Sequence, residues 1–393
     1  LIGVLQKMKH SGFILFISIA LGLYALMNYY LIRRGLQALP AQSWSRGLFT
    51  LLIVLLAAAY PMGRWLERSP SPWLGNLLVH IGAYYTGMLV LTLVALLAID
   101  LIRLADHFLA FMPASWRGSH TPASLKFFWL TFVLIAVLTT AGAVNARHPR
   151  VRHLSLEIAK PAPVHRLRLV LATDIHLGTM IHNSRMQQIV SLINAQTPDL
   201  ILLGGDLFDE DVLSLSKQNM AEVLQQLSAR HGVYAIPGNH EYFSGINHAL
   251  NYMRSAGIIV LRDSVVKAAD AVWLIGRDDR QGHAFGRQRL VLGELVLKAD
   301  KNQPLILLDH QPFHLDEAEA QGIDLQLSGH THHGQIFPFQ YITKGIYEMS
   351  WGYLRKGRTQ YYVSCGAGTW GPPLRLGNRP EIVTIDLTFA APQ

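Results

Sequence analysis

Two pairs of residues could each grip one ion: Asp174 with His176, and His330 with His332. Residues two apart in an extended segment lie on the same face, so both members of a pair can reach one point. Three further polar clusters follow apolar runs: Asp206 after Leu202-Leu203-Gly204-Gly205, Asn239 and His240 after Ile236-Pro237-Gly238, and His310 after Leu307-Leu308-Asp309. Taken singly, each is a turn or a surface feature in many chains. Together they place oxygen and imidazole donors, without thiolate, at five strand ends. That donor set suits Mn, Fe, Zn or Co. Asp206, leaving its strand through two glycines that keep side chains clear of it, is read as the carboxylate bridging two divalent metal ions, an arrangement that holds ions about 3.5–4 Å apart.

The elements that must position these residues follow from pattern. Strands are expected at His165–Thr173, Leu200–Leu203, Val233–Ile236, Ile258–Leu261, Val272–Gly276, Leu305–Asp309 and Leu325–Ser328. Helices are expected at Asn183–Gln196, opened by an Asn-Ser cap, at Gln218–Ala229 and at Ile246–Ser255. This alternation implies an α/β sheet whose ligands gather at strand C-termini.

Asp174-Ile175-His176, Gly205-Asp206-Leu207-Phe208-Asp209, Gly238-Asn239-His240-Glu241, His310 and Gly329-His330-Thr331-His332 resemble the ordered motifs of the calcineurin-like metallophosphoesterases, over Leu167 to Ile385. The resemblance implies two packed sheets flanked by helices. It also implies a first metal ion on Asp174, His176 and His332, a second on Asn239, His310 and His330, and Asp206 on both. His240 takes the position of the family's histidine that approaches the phosphate or leaving group. Gly276-Arg277-Asp278-Asp279, Gln335 and Gly368-Thr369-Trp370-Gly371-Pro372-Pro373 are similar to a membrane-associated bacterial branch. A multi-pass protein of the cell (inner) membrane is implied. His333 stands where that branch commonly has glycine, and either fills space and adds a donor beside the site or points to solvent.

Residues 1–145 read as a transmembrane region. Charged residues are 15% of the 393-residue chain and hydrophobic residues 50%, against about 25% charged in soluble domains. Four apolar runs, Gly12–Ile32, Leu48–Gly63, Leu77–Ile102 and Phe127–Asn145, are expected as four spans, since a helix needs about 20 apolar residues to cross a bilayer. Arg33, Arg34, Arg46, Arg64, Arg68, Arg103 and Lys126 sit at their ends. Basic residues, Lys7 and Lys9 included, divide almost evenly between the two faces, so they give no orientation and the side of the catalytic domain stays open. His80 and Asp100 are the ionisable residues within or closing the runs, too few for a conducting path. The net charge of +8 arises in this region, around apolar runs instead of on a soluble stripe, so no nucleic-acid partner is expected. Residues 146–164 read as a linker whose Arg147, Arg150 and Arg152 could draw anionic headgroups, and residues 165–393 as the phosphoesterase domain.

The expected fold is thus an N-terminal four-helix transmembrane region followed by an α/β metallophosphoesterase domain. The expected function is a membrane-bound dinuclear-metal phosphohydrolase, with manganese among the candidate ions. A water between two such ions can lose its proton with a pKa of ~7 and attack phosphorus as a bridging hydroxide. His240 would then serve the leaving oxygen as a general acid, and Asp209 would orient a ligand or start a helix. The substrate read from this architecture is a phosphoester or pyrophosphate of a membrane lipid such as a phospholipid. The alternatives are a membrane-anchored phosphodiesterase acting on soluble phosphoesters and a non-catalytic metal-dependent membrane sensor.

Overall fold

The computed structural model describes residues 2–67, 72–209 and 219–391, and side chains in the first helix only at residue 15 and from residue 18 onward. Arg68, Gln218 and the side chains of Lys7 and Lys9 lie outside the described residues. The chain divides into two compact units, Leu1–Ala141 and Gly142–Gln393.

The first unit is helical: α1 (Ile2–Ala38), α2 (Trp44–Leu66), α3 (Pro72–Leu109) and α4 (Pro122–Ala146), the last running a few residues into the second unit. Among the described residues three helices, α2, α3 and α4, are long and apolar enough to cross a membrane. The expected count of four is therefore met by three, and the remaining run lies in α1, whose first side chains are outside the described residues. The ionisable residues in the runs have local partners. Asp100 pairs with Arg34 and Tyr30, and His80 Nδ1 lies 2.7 Å from the Asn76 carbonyl one turn back in its own helix.

Among the described residues of the second unit, twelve strands form two six-stranded sheets. They are β1 (Arg150–Pro161), β2 (Arg166–Ala172), β3 (Leu200–Leu203), β4 (Val233–Ala235), β5 (Ile259–Val260), β6 (Ser264–Ala268), β7 (Val272–Gly276), β8 (Leu305–Leu308), β9 (Leu325–Ser328), β10 (Gly352–Lys356), β11 (Thr359–Val363) and β12 (Glu381–Ala390). The order is β1-β12-β2-β3-β4-β5 in one sheet and β10-β11-β9-β8-β7-β6 in the other. Alternation along each strand builds the layers. Leu169, Leu171, Leu200, Leu202, Leu308, Leu327 and Ile385 share one buried cluster between the sheets. Val170, Ala172, Ile201 and Leu203 pack outward under α5 (Asn183–Asn194) and α8 (Ile246–Ser255), and Leu305 and Leu307 under α9 (Leu292–Val296) and α10 (Leu315–Gln321). The shorter helices α6 (Met220–Leu224) and α7 (Asn239–Phe243) precede α8, and α11 (Gln340–Ile346) follows β9. Being covered on both faces, β3 and β8 are both Leu-Ile-Leu-Leu, apolar at every position.

Three expectations need correction. Residues 150–161 of the expected linker are an edge strand, paired in parallel with β12. Leu154, Leu156 and Ile158 alternate with polar neighbours and face the core, and Pro161 is tolerated at the edge strand's end. Arg152 lies 5.1 Å from the Trp351 ring centroid, packed on the protein. The cap of α5 is His182, not Asn183. The helix expected to reach Ala229 ends at Leu224, after which Ser228 N bonds Asn194 Oδ1 at 3.0 Å.

If β1 is part of the core, Ile158→Ala should lower unfolding free energy by about 2–5 kcal/mol, as cavity-forming core truncations do. Chaotrope unfolding of the full chain in detergent measures this, and a tether would show no change.

Candidate metal centre and active site

The loops after β2, β3, β4, β8 and β9 meet at one edge of the two sheets. The β2 and β3 loops are joined by backbone: Asp174 N donates to Gly205 O at 3.0 Å, His176 N to Asp206 O at 3.1 Å and Leu177 N to Leu207 O at 2.8 Å. Gly205 has φ +91°, and a Cβ there would lie 2.6 Å from His310 Nδ1. A Cβ on Gly238 would fall 2.2 Å from Asp206 Oδ1. Asp174, His176, Asp206, His330 and His332 all have positive φ, between 47° and 71°. A left-handed backbone is costly for such residues, and its concentration here is typical of sites where the surrounding structure imposes geometry.

Every residue expected in the site is brought to this edge. Asp174, His176 and His332 offer ligand atoms within 4.8 Å of one another, and Asp206, His310 and His330 do the same. A third set, His176, Asp206 and His240, puts His240 at the border of both. His310 Nδ1 faces the Gly204 carbonyl at 2.8 Å, which turns Nε2 toward Asp206 Oδ2, 3.1 Å away. His176 Nε2 and His332 Nε2 are 3.0 Å apart. Asp209 accepts His240: its Oδ1 lies 3.0 Å from His240 Nδ1 and 3.4 Å from His176 Nδ1. It orients the His240 imidazole, approaches that of His176, and is not among the clustered ligands.

The residues fit divalent cations. Asp174 Oδ2 and Asn239 Oδ1 are buried acceptors with no hydrogen-bond partner among the described residues, a deficit costing about 1–3 kcal/mol per group if nothing fills it. Burial, with the nearby His310 charge, pushes His330 down to about 3. Burial, with the Arg375 guanidinium, holds His332 well below the ordinary imidazole range. Both therefore keep a free lone pair. For His310 burial opposes charge, but the Asp206, Asp174 and Asp279 carboxylates outweigh it and raise it well above its usual value. At His310 the field of these carboxylates favours positive charge.

Sequence reasoning gave no role to two residues that hold this geometry. Glu241 is fully buried and accepts from the amides of Gly238 at 2.7 Å and of Asp206 and Phe208, both at 3.0 Å. A glutamate three residues after a helix-capping position was the available signal. Arg375 is also fully buried, donating to the Gly368 and His332 carbonyls at 2.6 and 3.1 Å. No sequence pattern marks it. His333 does not point to solvent: it is buried, its Nδ1 lies 2.9 Å from Ser350 Oγ and its ring packs against Trp351. Gln335 ties the Trp370 stretch to this turn, donating to the carbonyls of Trp370 and Pro372 at 2.8 and 2.9 Å.

A family model described as calcineurin-like phosphoesterase matches residues 167–334. Phosphodiesterase YaeI of Escherichia coli is 30% identical over 234 residues, spanning 56% of this chain and 82% of that protein. The chain belongs to the calcineurin-like phosphoesterase family. As such it is a metal-dependent phosphoester hydrolase, and the donor clusters above are its candidate metal ligands. This phosphoesterase is also 29% identical to an uncharacterized metallophosphoesterase of Campylobacter jejuni, over 95% of this chain and 98% of that one. It is 35% identical to a transmembrane protein with metallophosphoesterase domain from Danio rerio, matching 66% of this chain and spanning 62% of that protein's length. With three apolar helices of spanning length, the phosphoesterase is a membrane protein.

Glu241→Ala should leave three backbone amides without an acceptor and cost about 3 kcal/mol or more. Glu241→Gln, which keeps one acceptor oxygen, should cost less, as read by thermal unfolding of the full chain.

Proposed function

We propose that the phosphoesterase is a multi-pass enzyme of the cell membrane that uses two divalent ions to hydrolyse a phosphoester or pyrophosphate bond of a membrane lipid. The observation that carries the catalytic reading is the pair of donor groups, Asp174/His176/His332 and Asp206/His310/His330, each built on one buried carboxylate and linked through His176 and Asp206 in a third group with His240. Divalent ions bound there, manganese among the candidates, would make a water acidic enough to attack phosphorus at neutral pH and would neutralise phosphoryl charge. In this reading Asp206 is shared by both ions, and Asn239 completes the second group with its unpartnered Oδ1. His240, anchored through Nδ1 by Asp209 and through its amide to Asp206 Oδ1 at 2.8 Å, gives a proton to the leaving oxygen.

Support for a lipid substrate comes from the last turn of α4, which lies within the catalytic unit. Asn145 Nδ2 donates to the Arg375 and Asn378 carbonyls at 2.9 and 2.7 Å, and Arg375 N to Gly142 O at 3.0 Å. The stretch 142–145, where the catalytic unit follows the apolar region in the chain, is thus hydrogen-bonded to the segment whose Arg375 holds His332. That arrangement suits a substrate presented from a bilayer.

Exhaustive chelation should abolish hydrolysis of an aryl phosphodiester, and Mn²⁺ or another divalent ion should restore it; activity that survives metal removal contradicts the two-ion reading. Metal analysis should find about two ions lost from Asp206→Asn and about one from His332→Ala.

His240→Ala should retain both ions yet lose about 10²–10⁴-fold in turnover on an alkyl ester and much less with nitrophenolate as leaving group. Equal losses would make His240 a positioning residue. Diluting a phospholipid substrate with inert detergent in mixed micelles should slow its hydrolysis and spare that of a soluble ester. A preference for the soluble ester at every dilution would favour the anchored-phosphodiesterase alternative.

A further inference from the structure

Large apolar side chains stand in solvent around the catalytic edge. Beside His240 are Phe243 and Trp370, with ring centroids 5.6 and 6.1 Å from its imidazole, and Phe285 lies 6.2 Å from Phe243. On α11, which packs on the His332–Gly334 turn, Tyr341, Ile342 and Ile346 project outward, and none of the helix's seven residues is buried. Tyr347, next along the chain, has its ring centroid 6.0 Å from that of His330. Tyr347 is half-buried, whereas exposure of the other aromatic and aliphatic side chains runs from 52% for Phe285 to 64% for Tyr341. Isolated exposed apolar residues need no explanation, but a set gathered at one functional edge marks an interaction surface.

We propose that this rim docks on the surface of a lipid bilayer, with α11 seated at the headgroup and acyl boundary. The proposal deepens the lipid-substrate reading and rests on it for its purpose. Two observations select a bilayer as the occupant. First, Phe337, which leads into α11, donates its amide to Leu376 O at 2.8 Å, and the neighbouring Arg375 amide donates to Gly142 O in the last turn of α4. The apolar rim is therefore two backbone hydrogen bonds from Gly142, where the catalytic unit begins. Second, the exposed composition suits an interface: tryptophan, tyrosine and phenylalanine beside aliphatic residues, with exposed Lys344 within α11 to meet a lipid phosphate. Docked in this way, the rim would bring headgroups to Asp206 without the lipid leaving its bilayer.

The test uses the full chain in nanodiscs of mixed anionic and zwitterionic phospholipid. Cys365 is the chain's one cysteine and is fully buried, so nitroxide labels can be directed to Ile342→Cys and, separately, Ile346→Cys. Docking is expected to give both labels greater accessibility to oxygen than to a water-soluble nickel chelate. Labels that prefer the nickel chelate overturn the proposal. So do labels shielded from both relaxants and broadened by spin-spin coupling, which would mean a second copy of the chain covers the rim. In parallel, the Ile342→Asp, Ile346→Asp double variant should lose about tenfold or more on a phospholipid in vesicles while keeping its rate on a soluble aryl diester. Lipid-buried labels in a protein that leaves every phospholipid intact would uphold docking and reject the lipid-substrate reading, so the two fail separately.

Discussion

Two carboxylates, Asp174 and Asp206, are buried almost completely at one place. Their mutual repulsion in a medium that screens poorly is the constraint the rest of the site answers. Burial raises Asp174, whereas for Asp206 the His310 charge overcomes burial and keeps it well below the usual carboxylate range. Glu241, a third buried acid, is raised by burial and by Asp206, yet it is retained because three loop amides need its oxygens. Such a concentration of acceptors is tolerable only where cations complete it, which is the physical link between this fold and metal-dependent hydrolysis.

The sheets make that concentration possible. Ligand-bearing loops leave the C-terminal ends of parallel strands, so their side chains arrive at one edge without the loops crossing. A double layer contributes more than a single sheet would: β2, β3 and β4 supply Asp174, His176, Asp206 and Asn239, and β8 and β9 supply the three remaining histidines. The two donor groups are each assembled across the sandwich. Left-handed backbone at five candidate ligand positions shows the loops held against their local preference, with Glu241 and Arg375 hydrogen-bonded to their backbone.

Attachment to a membrane enters the same framework through the last turn of α4. Asn145 both donates to carbonyls of the 375–378 segment and accepts from Arg379 Nε at 2.8 Å. Arg375 in that segment donates to the His332 carbonyl. Residues 142–145, the start of the catalytic unit, are therefore bonded to the segment that carries Arg375, one contact from the candidate ligand His332.

Much of this was legible in the chain. Spacing and strand context identified Asp174, His176, Asp206, Asn239, His240, His310, His330 and His332 as one constellation, because metal chemistry restricts residue types and period-two geometry restricts where they can point. Apolar runs disclosed the membrane region for the equally local reason that bilayer thickness sets their length. The roles of Glu241 and Arg375 were decided by tertiary structure, since a buried acid serving three amides and a buried guanidinium behind His332 depend on which loops meet. The same is true of β1: Arg147, Pro149 and Arg150 suggest a tether, and only pairing with β12, more than two hundred residues away, gives Leu156 and Ile158 a core to enter. Periodicity records the face a residue prefers. It does not record which distant strand will cover that face.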